Sequence, residues 1–382
     1  LFTHHGIGTM VVPESPEVIR DATADDVPGI VQIIEPLEQQ GIRAIAIPHN
    51  SNVSGGLMWT TTRGDGSPIT SDDARTRARL ETLVEVIQHK GDSECRASAE
   101  DELCSFEKVP IVRLQDLSRP VEDPQIPPRV YAREALAEGL VQQARLGVNP
   151  FRFGLIASTD THLSVAGRVE EDRHLGHGAG NVSARFGPPP YPDVPFFNPG
   201  GLAVLWAEEN SRDALFAAMK RREAYGTSGP RIAVRFFGGW EHASDLCEQP
   251  DFAARGYQGG VPMGGELPPR PATATAPRFP VWALRDAGSD GVPGTSLQRI
   301  QIVKGWLDAG VARERVFEVA GDAQSSADVD LATCEPRGRG FDSLCSVWSD
   351  PDFRSDQAAF YYARVVENPS CRWNTWVCNR QA

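Results

Sequence analysis

Residues 129–157 constrain the fold more than any other stretch. RVYAREALAEGLVQQARL, 129–146, carries apolar residues at helical spacing and is stopped by Gly147. Six residues later Phe153–Ala157 form a short, uniformly apolar run, the pattern of a strand buried on both faces. A helix followed at once by a doubly buried strand implies parallel β/α units.

The rest of the first 228 residues repeats this alternation. DVPGIVQIIEPLEQQ, 26–40, has a helical apolar stripe ended by Gly41, and Ile42–Ile47 reads as a strand broken by Pro48. Ser71 is placed to cap a helix whose first turn is acidic, and 82–88, TLVEVIQ, reads as a strand. Residues 198–208 suggest another buried strand, and 210–226 a helix capped by Asn210 or Ser211. The Pro-rich stretch 178–199 is a long loop, of the kind that usually serves function.

Beyond residue 229 the character changes. RIAVRFFGGW, FPVWALRD and LQRIQIVKGWLD are β-rich, separated by Gly and Pro turns, and predict a sandwich-like domain over 229–382. Trp306, Trp348, Trp373 and Trp376 in this part are expected in sheet packing, with a carbohydrate-contact surface as the alternative.

Composition narrows the function classes. A formal net charge of −13 argues against binding a nucleic-acid backbone, which calls for clustered Lys and Arg. No apolar run approaches the roughly 18 residues that a membrane helix needs. The seven cysteines form no C-x-x-C pair. Their spacing suggests short disulfide loops, Cys95 with Cys104, Cys334 with Cys345 and Cys371 with Cys378, with Cys247 left over. That pattern suits a periplasmic or secreted protein; unpaired buried thiols in a cytoplasmic one are the alternative. There is no G-x-S-x-G elbow and no phosphate-binding G-x-x-x-x-G-K loop.

In parallel β/α folds the reacting groups sit where strands end. Two strand exits here carry ligand-type residues. IAIPHNSN places His49 after one, and LIASTDTH places Asp160 and His162 after the other. Asp oxygen and His nitrogen suit Zn²⁺, Mn²⁺ or Fe²⁺. A second cluster, GRVEEDRHLGHGAG, holds Glu170, Glu171, His174 and His177, and His177 is the candidate acid/base. Glu85, His89 and Glu94 would line the same mouth, with Lys90, Arg168 and Arg231 as candidate phosphate contacts. A solvated loop is the plain alternative for each of these sets.

ASTDTH and AIPHN resemble metal-binding motifs of the PHP superfamily, named for polymerase and histidinol phosphatase. HKGDSEC, LWAEENSRDALFAAMKRREAYGTSGPRI and CRWNTW extend the resemblance, over nearly the whole chain, to an uncharacterised bacterial branch of it. The resemblance implies a distorted (β/α)7 barrel over 1–228, two or three divalent metal ions, and hydrolysis of a small phosphate ester. It makes His49, Asp160 and His162 metal ligands, and His4, in competition with His5, a further one. The opening H-x-H of that superfamily has no counterpart here, so the barrel is expected to be truncated at its N-terminus and short of part of its metal site. The alternatives are a metal hydrolase acting on C–N or C–O bonds and a non-enzymatic exported binding protein.

Overall fold

A computed structural model describes residues 8–13, 34–114, 116, 125–178, 192–288 and 293–381. The chain divides into two compact units. The first comprises residues up to 169, 174–228 and 310–312; the second comprises 170–173, 229–309 and 313 onward.

In the first unit, β1 (Gly8–Pro13) pairs antiparallel with β2 (Ala44–His49). A helix described over 34–39, α1, precedes β2. Then come α2 (Ser71–Leu80), β3 (Leu83–Gln88), β4 (Gly91–Asp92), α3 (Ala132–Leu146) and β5 (Gly154–Ala157). The unit closes with β6 (Leu202–Leu205), α4 (Arg212–Lys220) and β7 (Ala224–Thr227). β3 runs parallel to β5, while β3–β4 and β6–β7 are antiparallel. β2 packs beside β3, and β5 beside β7, so the strand neighbours run β1-β2-β3-β5-β7-β6 through three separate hydrogen-bonded sheets.

The packing explains why β2 is apolar at every position up to Pro48. Ile45 and Ile47 face one cluster with Leu83, Ile156, Phe216 and Ala224. Ala44 and Ala46 face the other, with Ile34, Leu37 and Leu80. A strand covered on both sides has no polar face to show.

Several boundaries differ from those read along the sequence. β2 continues through Pro48 to His49, because among the described residues it hydrogen-bonds to β1 alone and a strand with one bonded edge tolerates proline. The cap of α2 is Thr70, not Ser71: the Thr70 hydroxyl accepts from the Asp73 N–H, and the Asp73 carboxylate accepts from the Thr70 N–H at 2.7 Å. α4 is capped by Ser211 and ends at Lys220, since Arg222 turns left-handed at φ 63° and Ala224–Thr227 leave as a strand. β6 covers only Leu202–Leu205 and is only partly buried. Residues 26–33 and 179–191 lie outside the described residues.

The second unit is antiparallel. Its strands are β8 (Ala233–Gly238), β9 (Val261–Pro262), β10 (Arg278–Leu284), β11 (Leu297–Asp308), β12 (Val311–Gly321), β13 (Asp328–Val329), β14 (Pro336–Arg337), β15 (Ser343–Ser349) and β16 (Ala359–Glu367). Helices α5 (Phe252–Gly259) and α6 (Trp373–Asn379) flank them. One sheet is ordered β15-β10-β8-β9, the other β12-β11-β16, with β13-β14 as a separate ribbon. Aromatic pairs join the two larger sheets: Phe279 meets Tyr361 at 4.4 Å and Phe317 meets Trp348 at 4.9 Å between ring centroids. Trp373 is wholly buried. A buried Lys304 donates to Asp350 at 2.6 Å, and the Tyr361 hydroxyl donates to the same carboxylate at 2.7 Å.

Three disulfides are present, and two of them cross the expected pairings. Cys95 bonds Cys104, but Cys247 bonds Cys345 and Cys334 bonds Cys371, leaving Cys378 outside any disulfide. Spacing favours near neighbours; the sheets instead bring β15 beside the 246–248 turn, across 98 residues of sequence. Among the described residues no helix is long and apolar enough to cross a membrane.

Candidate functional site

Three strand exits of the first unit meet at one place. β2 ends in His49 and Asn50, β3 ends in the turn His89–Lys90, and β5 ends in Ser158, Thr159 and Asp160. Two of these exits bend through left-handed backbone at non-glycine residues, Asn50 at φ 61° and Asp160 at φ 49°. Asn and Asp tolerate that region better than most, and such positions concentrate at functional sites. The β3–β4 turn needs Gly91, at φ 94°, because a Cβ there would lie 2.3 Å from the Glu107 carbonyl oxygen.

Backbone hydrogen bonds fix the neighbouring loops to these exits. Asn198 N–H donates to the His89 carbonyl at 3.0 Å, Gly201 N–H to that of Ser158 at 2.7 Å, and His162 N–H to that of His177 at 3.0 Å. The last bond closes the loop 163–176 and carries His177 back to the strand ends. Its ring stacks on His89, with 3.5 Å between centroids.

His89, Asp160 and His177 thereby offer two ring nitrogens and a carboxylate oxygen within 4.8 Å of one another. His89 and His177 are buried and Asp160 is half-buried. His89 Nδ1 lies 3.4 Å from Asp160 Oδ2. That nitrogen, both ring nitrogens of His177 and Nε2 of His49 are buried and hydrogen-bond to nothing among the described residues. Buried polar atoms are rarely left this way unless something else satisfies them. Asn50 Nδ2 holds His49 Nδ1 at 2.6 Å. Glu85, wholly buried on β3, accepts from the Ser158 hydroxyl through one oxygen, while its other oxygen has no partner among the described residues.

The electrostatics suit metal ligation. Burial lowers His49 to about 4, with Asp160 opposing and Lys90 adding to the shift. Burial and the Lys90 charge likewise take His177 to about 4 and hold His89 well below the ordinary imidazole range. All three rings are therefore neutral near pH 7, the form that binds a metal. Burial, helped by the charge on Asp160, raises Glu85 to about 8. Burial would raise Asp160 too, but the Lys90 ammonium outweighs it and keeps the carboxylate ionised. Lys90 Nζ contacts Asp160 Oδ2 directly and stands 3.3 Å from His89 Nε2.

The residues singled out along the sequence fare differently. Asp160 and His177 join the donor group together with His89, which the sequence placed only among residues lining the mouth. His49 approaches the group from β2, near enough for the Asp160 and Lys90 charges to act on it. His162 is exposed, its ring edge-on to His177 at 4.6 Å. His4 and His5 lie outside the described residues. Glu94 is taken up by Arg133 at 2.7 Å. Glu170 and Glu171 belong to the second unit, where Glu170 pairs with Arg231 at 3.4 Å and Glu171 accepts from the Trp373 N–H at 2.6 Å. His174 faces Asp193 at 3.4 Å and, with Arg168, Thr159 and Thr161, lines a cleft beside His89 and His177. The signal for His89 was its place directly after an apolar strand, the same signal that marked His49.

Comparison with known proteins adds a family and little else. A match of 42 residues, 60% identical, relates the chain to amino-acid acetyltransferases of Salmonella arizonae, Enterobacter sp. and Escherichia coli K12. It spans 11% of this chain and 10% of each of those proteins. No solved structure matches the chain. The family described as "Protein of unknown function (DUF3604)" matches residues 14–382, nearly the full length, and the chain belongs to it.

Proposed function

We propose that the first unit is a divalent-metal hydrolase of the PHP type, acting on a small phosphate ester. The observation that carries this reading is the His89, Asp160 and His177 donor group, with its buried, unsatisfied ring nitrogens at strand exits. Two nitrogens and a carboxylate oxygen fit Zn²⁺, Mn²⁺ or Fe²⁺. His49 and Glu85 would complete the ligand set from β2 and β3, with His162 at its rim. His177 sits among the donors, so we assign it to ligation and give proton transfer to the cleft residue His174, which stands 3.4 Å from Asp193.

Two or three such ions would supply Lewis acidity and a water of lowered pKa. The chain's own residues do the rest. Arg168 and the hydroxyls of Thr159 and Thr161 line the cleft and orient an anionic group. Asn50, through Nδ2, holds the His49 ring, and the Asn198 N–H fixes the His89 backbone at its carbonyl.

The neighbour order β1-β2-β3-β5-β7-β6 and the parallel β3–β5 pair support a distorted PHP barrel as the scaffold. The three disulfides support an exported protein, periplasmic or secreted.

Elemental analysis of the wild type beside Asp160→Ala with His177→Ala, followed by an aryl phosphate assay, tests the reading. Near-stoichiometric metal lost in the double variant, with phosphate release by the wild type, supports it. Bound metal without phosphatase activity redirects the chemistry to C–N or C–O bonds. A wild type that takes up no metal overturns the proposal in favour of a non-catalytic binding protein.

A further inference from the structure

The donor group already contains a cation of its own. Lys90 is buried, and its ammonium contacts Asp160 Oδ2 and lies 3.3 Å from His89 Nε2. It thus rests on two of the three residues that would ligate a metal. We propose that Lys90 is an internal counter-ion of this site, contacting Asp160 and His89, and that it is displaced when a divalent ion binds. This inference rests on the metal-site reading above and concerns how that site is regulated.

The geometry allows this displacement only through the side chain. The Lys90 N–H donates to Gln88 Oε1 at 2.6 Å, and Asn52 Nδ2 donates to the Lys90 carbonyl at 2.9 Å. Gly91, next in the turn, is fixed against Glu107. The backbone therefore stays, while the four-carbon stem can rotate about its own bonds. Displacement is favoured because an ammonium and a divalent ion at one carboxylate oxygen repel each other, and in a partly buried place that repulsion exceeds its value in water.

The test is metal affinity, measured by competition with a chromophoric chelator for Zn²⁺ and for Mn²⁺ in the wild type, Lys90→Met and Lys90→Arg. Removing the competing charge is expected to tighten binding about tenfold in Lys90→Met, or ~1.4 kcal/mol. Lys90→Arg, which keeps a cation, stays near the wild type. Equal or weaker binding by Lys90→Met, with a wild type that binds, overturns the inference and leaves the metal site standing. Failure of the wild type itself to bind overturns the metal site and this inference together, so the two failures are distinct. Should Lys90→Met not fold, Lys90→Gln is compared with the wild type by thermal melting. A larger metal-induced rise in Tm for Lys90→Gln supports displacement, and an equal or smaller rise refutes it.

Discussion

The imidazole rings of His89 and His177 stack with 3.5 Å between centroids and 20° between planes, although 88 positions separate them in sequence (177 minus 89). Two imidazolium rings would repel at that distance in a buried site, so the stack needs at least one neutral ring. Burial keeps both neutral. Replacing either ring by Ala removes a proposed ligand and the ring that supports the other. Metal retention is expected to fall by more than the roughly 10–100-fold that loss of an outer partner costs. Equilibrium dialysis of His89→Ala and His177→Ala against the wild type measures this, and unchanged retention in both would remove them from the ligand set.

The same burial is expected to make the protein acid-sensitive. His49 and His177 take up protons near 4 in the folded chain and near 6.5 in the unfolded one. Between those values the unfolded state binds more protons, so stability falls as pH drops from about 6.5 toward 4. Urea midpoints measured with chelator present should decline across that window. His49→Gln should make the decline shallower.

Glu367, at the end of β16, carries the opposite sign. Burial, with the Asp286 charge in second place, raises it to about 8 from an ordinary 4.5. Here the folded state binds more protons between those values, so stability is lost as pH rises from about 4.5 toward 8. Glu367→Gln should therefore melt higher than the wild type at pH 8, and the difference should shrink toward pH 5. A difference that does not change with pH would assign Glu367 a purely steric role.

Disulfide mapping under non-reducing conditions should recover Cys247 linked to Cys345 and Cys334 linked to Cys371, with one alkylatable thiol at Cys378. Cys247→Ser with Cys345→Ser opens a link across 98 residues and should cost about 2–5 kcal/mol. A peptide joining Cys371 to Cys378 would contradict the structure.

The sequence by itself determined the local elements and singled out ligand-type residues at their ends. Apolar runs with polar exits marked 82–88 as a strand and Phe153–Ala157 as a buried one, and helical spacing marked 129–146; the strands run Leu83–Gln88 and Gly154–Ala157 and the helix Ala132–Leu146. Those are short-range properties, set by the side-chain period and by where the backbone can turn. The same reasoning singled out His49 and Asp160, because a ligand-type residue directly after a buried strand stands out from its apolar neighbours. Tertiary structure decided which of these residues meet. The loop from 163 to 176 folds back through the His162–His177 backbone bond, and so puts His177 on His89 and leaves His162 exposed. It also sent Glu94 to Arg133, crossed the cysteine pairings and aimed Lys90 at Asp160. Each of these is a contact between residues far apart in sequence, fixed by how sheets and loops pack together, and neither spacing nor periodicity carries that information.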